Sequence, residues 1–187
     1  MSGAGRLPLI GADADSDDPR LATVFGRFRD SGHDIPTLYR TLGNAPEMLN
    51  AWVGMAWPLR AEATTSRALR ELIIMRVAQL TQTAYEWVAH RPMTVKCGIT
   101  ATQLSELRSW RDSDAFSEEE RELLAMTDEL TDELDVSDET WAALAARYEP
   151  GELVELVLTC TYYSCVSRTL RAFRLPVDPD DPALDGF

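Results

Sequence analysis

The chain has little of what redox and metal sites are usually built from. Its 187 residues include two histidines, His33 and His90, and three cysteines, Cys97, Cys160 and Cys165. Three scattered cysteines make no disulfide framework. Cys160 and Cys165 would point roughly 140° apart on one helix and so would not bridge. Nor do the cysteines and histidines cluster as zinc ligands do. No apolar run reaches the ~18 to 20 residues of a membrane-spanning helix. The opening MSGAGRLPLIGADADSDDP lacks the long apolar core of a secretory signal, and the expectation is a soluble, cytoplasmic protein without a membrane partner. Basic charge is also scarce. Eighteen basic residues stand against 31 acidic ones for a net charge of -13, which opposes binding to nucleic acid or anionic lipid. Lys96 is the sole lysine, a bias read as genomic rather than functional. The acidic clusters at 13–18 and 118–120 and near the end are read as solubilising surface. Alternating strand patterns are absent.

What remains is apolar and helical. A hydrophobic content of 45% with 26% charge fits one globular domain with a sizeable core. Residues 1–18 read as an extended lead-in, 19–176 as the helical domain and 177–187 as a Pro/Asp-rich tail. Asp18 and Pro19 suit a helix start, with Leu21, Val24, Phe25 and Phe28 on its apolar face. A short piece through Leu38, Tyr39 and Leu42 stops near Gly43. Asn44 is expected to cap the next helix, with Pro46 in its first turn. Thr64, Thr65 and Ser66 are expected to cap a helix over about 67–81, and Thr81–Gln82–Thr83 to turn the chain. The following helix runs from Tyr85 to Lys96, with Pro92 inside it, and Gly98 ends it. Thr100, Ser117 with Glu120, and Ser137 mark three further helix starts. Pro150 and Gly151 open a long helix that is apolar on most sides, and is expected to be central or to lie in a subunit interface.

The stretch Leu69–His90 is strongly apolar yet carries Glu71, Glu86 and His90. Glu86 and His90, four apart, share one helix face. A carboxylate beside an imidazole on an apolar helix forms a proton-transfer pair tuned near neutrality. The simpler reading of that spacing is a surface pair contributing a few tenths of a kcal/mol. For Glu71, a plain ion pair with Arg67 or Arg70 is the competing reading. The five tryptophans are read first as core or interface residues, and Thr83 as a helix cap.

The strings LRELIIMRVAQLT and YEWVAHRP, preceded by IPTLYRTLGNAPEMLNAWVGMAWPLRAE and followed by FSEEERELLAMTDELT and ELVELVLTCTYYSCVSR, resemble the carboxymuconolactone decarboxylase family, which includes alkylhydroperoxidase D-like proteins. The resemblance spans about residues 20–176. It implies an all-α helical bundle of the alkylhydroperoxidase D-like type, assembled as a homo-oligomer, usually a trimer or hexamer, with a dimer also compatible. Peroxidase members share a Glu followed by Cys-x-x-Cys-x-x-x-His. Counted back from His90, the cysteine positions fall on Thr83 and Glu86, and the upstream acid on Glu71. The redox pair is therefore missing, and a threonine hydroxyl does not replace a thiolate toward peroxide.

The decarboxylase-like branch implies chemistry with no metal and no organic cofactor. The expectation is an acid/base enzyme, a lyase or isomerase, acting on a small organic acid, lactone or polyketide-like substrate by decarboxylation, double-bond shift or ring isomerisation. His90 would donate or shuttle the proton, Glu86 would orient it or act as base, and Glu71 would hold the other ring nitrogen or bind substrate. Thr83, Tyr85, Trp87 and Arg168 are the candidate substrate-binding residues. Ser164 and Ser167 stand before Arg168 where many relatives carry Asn, which points to a different substrate. The alternatives are a degenerate thiol peroxidase and a non-catalytic binding or scaffold protein.

Overall fold

Helix starts are written plainly into the chain, and the computed structural model, which describes residues 5–13 and 18–187, places nine α-helices among them. They are α1 (Pro19–Asp30), α2 (Thr37–Leu42), α3 (Pro46–Trp57), α4 (Arg67–Leu80), α5 (Ala84–Lys96), α6 (Ala101–Glu106), α7 (Glu118–Asp132), α8 (Asp138–Arg147) and α9 (Pro150–Phe173). A π-turn over Pro58–Glu62 and 3-10 turns over Leu107–Asp112 and Pro182–Leu184 complete the set. The fold is all-α, with no strand among the described residues. No helix among them is long and apolar enough to cross a membrane. The lead-in expected at 1–18 lies outside the described residues at positions 1–4 and 14–17.

The chain forms two compact units, one comprising the residues up to Glu62 with Phe173–Pro176, the other Ala63–Ala172 with Val177–Phe187. In the first unit α1 packs on α3. The apolar positions Leu21, Val24 and Phe25 meet Leu49, Val53 and Ala56 as the core of that unit. Asp18 caps α1 by accepting from the Arg20 backbone N–H at 2.8 Å. The Arg20 guanidinium also reaches Glu47 in the first turn of α3. The expected Asn44 cap is not formed. Ala45 takes the cap position of α3, and the Asn44 amide donates instead to the carbonyls of Pro8 and Thr41, both at 2.8 Å.

In the second unit the helix buried on all sides is α4. Every residue from Arg70 to Gln79 is buried. α9 keeps Val154 and Leu158 exposed. α4 packs between α5 and α7. Its apolar residues Leu72, Met75 and Ala78 join Trp87, Leu104, Leu107, Trp110 and Leu124 in one cluster. The start of α4 also differs from expectation, because Ser66 makes no side-chain cap. The N–H and hydroxyl groups of both Thr64 and Thr65 donate to the Glu155 carboxylate, at 2.8 to 3.1 Å. At the far end Thr81–Gln82–Thr83 turns the chain as expected, with Gln82 in the left-handed region at φ 52°.

The remaining caps follow the local signals. Thr100 with Gln103 and Ser117 with Glu120 form reciprocal capping boxes, and Ser137 caps α8. Gly98, at φ 94°, ends α5 where a side chain would be strained. The tail is not loose. The Trp87 indole donates to the Ala183 carbonyl at 2.8 Å, and Phe187 lies against the Trp87 ring. Gly186, at φ 84°, lets the backbone approach Leu104, whose carbonyl a Cβ would meet at 3.2 Å.

One ion pair joins three elements of this unit. Asp128 on α7 accepts from Arg76 Nε on α4 at 2.6 Å and from the Trp110 indole at 3.1 Å. Arg76 in turn donates to the Leu107 carbonyl at 3.1 Å. Both charges are buried, so removing Asp128 leaves the Arg76 guanidinium desolvated without its counter-charge. Asp128→Ala is expected to lower unfolding stability by about 3–5 kcal/mol, read by urea denaturation.

Candidate active site

α4 and α5 form a helical hairpin across the Thr81–Thr83 turn, which brings Glu71 of α4 against His90 of α5. His90 Nδ1 lies 2.8 Å from Glu71 Oε2, and His90 Nε2 lies 3.1 Å from Glu86 Oε1. The other Glu71 oxygen takes the Arg67 guanidinium one turn back on α4. Thr94, one turn beyond His90, donates to the His90 carbonyl at 2.9 Å and lies 3.5 Å from Glu71 Oε2. From α9, the Tyr163 ring meets the imidazole edge-on, with centroids 5.0 Å apart. Glu71 is fully buried, and Glu86 and His90 are 3% and 7% exposed.

The charges explain each other. Burial by itself would favour a neutral imidazole, but the Glu71 charge and hydrogen bond, followed by those of Glu86, outweigh it and raise His90 from 6.5 to about 9. Burial likewise works against the Glu71 carboxylate, and His90 and Arg67 together hold it below the usual carboxylate range. The ring is thus an imidazolium at neutrality, donating from both nitrogens, rather than a base tuned near pH 7. Arg67 and His90 balance Glu71 and Glu86. Both ring nitrogens face carboxylate oxygens, so the charged ring offers no lone pair to a metal ion.

Of the residues singled out from the sequence, the structure brings Glu71, Glu86 and His90 together. The four candidate substrate-binding residues have other surroundings. Thr83 is buried at the start of α5, its hydroxyl 3.0 Å from that of Thr81. Tyr85 is half-buried in the first turn of α5. Trp87 belongs to the core cluster and holds the tail. Arg168 is exposed and donates to the Ser164 carbonyl of its own helix at 3.2 Å. Thr94 and Tyr163 escaped the sequence reading. Thr94 had a signal, four residues beyond His90 on the same helix face. Tyr163, on a helix far along the chain, had none.

Residues 46–129 match the model of the carboxymuconolactone decarboxylase family, and this span holds Arg67, Glu71, Glu86, His90 and Thr94. Over that span the chain is similar to that family. It is 28% identical over 116 residues to the uncharacterized protein YdfG of Bacillus subtilis, covering 61% of this chain and 78% of the relative. In fold it is similar to an alkylhydroperoxidase D core protein, an uncharacterized peroxidase-related protein of Ralstonia eutropha JMP134. That match has a TM-score of 0.79 and 15% identity over 98% of this chain and 96% of the other. It is also similar in fold to a cysteine-to-alanine variant of the debrominase Bmp8 in complex with 2,3,4-tribromopyrrole. There the TM-score is 0.74 and the identity 17%, over 96% of this chain and 93% of the debrominase.

The raised His90 makes a titration prediction. A group whose folded pKa lies above its unfolded value stabilises the fold fully below the unfolded pKa, near 6.5, and loses that contribution as pH rises through about 9. Imidazole NMR shifts should therefore show His90 protonated at pH 7.5, and Glu71→Gln should bring its titration down. A His90 that titrates near 6.5 in the folded protein would contradict the ion-pair description.

Proposed function

We propose that the chain is a cofactor-free acid/base enzyme. It would act on a small organic acid, lactone or polyketide-like substrate as a homo-oligomer, by decarboxylation, double-bond shift or ring isomerisation. The observation that supports this reading is the buried Glu71–His90–Glu86 chain, in which one imidazolium is shared by two carboxylates. Glu71 is engaged on both oxygens, by Arg67 and by His90, so it positions the ring rather than touching substrate. Glu86, in the first turn of α5, is the base.

An acid with a pKa near 9 donates readily only to a strongly basic centre. The dienolate carbon left by decarboxylation is such a centre. His90 delivers its proton there and recovers one from water as product leaves. In a double-bond shift Glu86 takes a proton from one carbon, and His90 returns one to another. The peroxidase alternative draws no support here. Thr83 and Glu86 occupy the cysteine positions, the three cysteines are unpaired, and burial pushes the Cys160 thiol up to about 11. A scaffold reading has one observation in its favour, the complete pairing of Glu71 and His90 within the chain.

Incubation in D2O with a panel of unsaturated acids, lactones and small heteroaromatic rings tests the proposal. Proton NMR should reveal deuterium entering a carbon position of at least one compound. His90→Gln and Glu86→Gln, with assembly size unchanged, should each slow that exchange about 10²–10⁴-fold. Exchange that survives both substitutions removes the site, and a panel without any exchange favours the scaffold.

A further inference from the structure

The first unit contains a cavity of about 240 Å³, lined wholly by its own residues. None of Glu71, Glu86 and His90 takes part in it. Its walls are apolar, with Val24 and Phe28 of α1 facing Val53, Ala56 and Trp57 of α3. Tyr39 of α2 closes one side, buried to 6% exposure, its ring edge-on to Phe28 at 5.3 Å. Two cations, the Tyr39 phenol and the Ser31 hydroxyl, which donates to the Phe28 carbonyl at 2.9 Å, supply its polar chemistry. Arg27 lies over the face of Trp57, 5.3 Å from the ring centroid. Arg60 donates to the Tyr39 hydroxyl at 3.4 Å, which leaves the phenolic hydrogen to donate elsewhere.

We propose that this cavity is a binding site for a small aromatic monocarboxylate. Three features point to that class. The walls offer aromatic and branched faces that suit a flat ring. Two guanidinium groups and one phenol present donors toward a ligand, and planar guanidinium forks match a carboxylate. Two arginines at one cavity in a chain of net charge -13 are a local reversal of sign. The volume lies below the roughly 300–1,000 Å³ of pockets for drug-sized ligands, so one or two fused rings are the size that fits. Trp57, 48% exposed, sits at the rim, where its indole can cover a bound ring. The inference stands apart from the acid/base reading, since it uses no residue of that site.

The test is calorimetric titration of the full chain with 2-naphthoate, 2-naphthamide and acetate. Naphthoate should saturate one site per chain. The neutral amide and the ringless acetate should each bind at least about tenfold more weakly, the loss expected for removing a charge-assisted hydrogen bond or the buried ring. The Trp57 indole N–H resonance, assigned through Trp57→Phe, should move on naphthoate binding. Arg27→Gln with Arg60→Gln, both at exposed positions, should weaken binding at least about tenfold with unchanged circular dichroism. His90→Gln should leave the affinity unaltered. The proposal is overturned by absence of saturable binding at millimolar naphthoate, or by equal affinity for the amide. Undiminished binding to the double arginine variant, or loss of binding in His90→Gln, overturns it as well.

Discussion

A charged imidazole in a nearly dry interior is tolerable only when carboxylates face it on both sides. His90 has Glu71 on one nitrogen and Glu86 on the other, and Arg67 closes the count so that two cations meet two anions. The geometry of the hairpin between α4 and α5 follows from this need. Glu71 and His90 lie on different helices, and only one register of the two helices joins them. Because Glu86 and His90 sit one turn apart on α5, the second contact comes with the helix itself.

The same constraint runs along the whole of α4. A helix buried on all sides has no solvent to receive its polar residues, so each must find a partner within the protein. Arg70 donates to Thr65, Glu71 accepts from Arg67 and His90, Arg76 donates to Asp128, and Gln79 donates to the Gly186 carbonyl at 3.1 Å. These contacts reach different elements and fix the rotation of α4 more sharply than apolar packing alone would. Glu155 holds the start of the helix through Thr64 and Thr65, and the Arg171 guanidinium donates to the Thr81 carbonyl at its end.

Similarity to the carboxymuconolactone decarboxylase family gives the residues at the cysteine positions their meaning. A threonine and a glutamate stand where peroxidase members resemble one another in two cysteines. The glutamate is not idle, since it hydrogen-bonds the histidine. Under the proposed reading, that one exchange turns a position suited to sulfur chemistry into half of a proton relay. The relay differs from the pair anticipated near neutral pH, because the Glu71 and Glu86 carboxylates together outweigh burial and raise the ring to about 9.

Local signals in the sequence were enough for most of the fold. The capping boxes at Thr100 and Ser117, the caps at Asp18 and Ser137, the turn at Thr81–Thr83 and the stop at Gly98 depend on residues within a few positions of one another, so periodicity and side-chain chemistry reveal them. The pairing of Glu86 with His90 was legible for the same reason. Asn44 and the Thr64–Ser66 cluster were misread because their partners, Pro8 and Glu155, are remote in the chain. The full burial of α4 was likewise invisible, since α4 and α9 are both apolar and only packing decides which is covered. The sequence by itself determined where helices begin and end and which polar groups share a helix face, because those are short-range matters of backbone geometry. Only the tertiary structure decided that Glu71, Arg67 and Tyr163 surround His90 and that the ring is charged there, because desolvation and opposing charge act through space between segments that the chain order keeps apart.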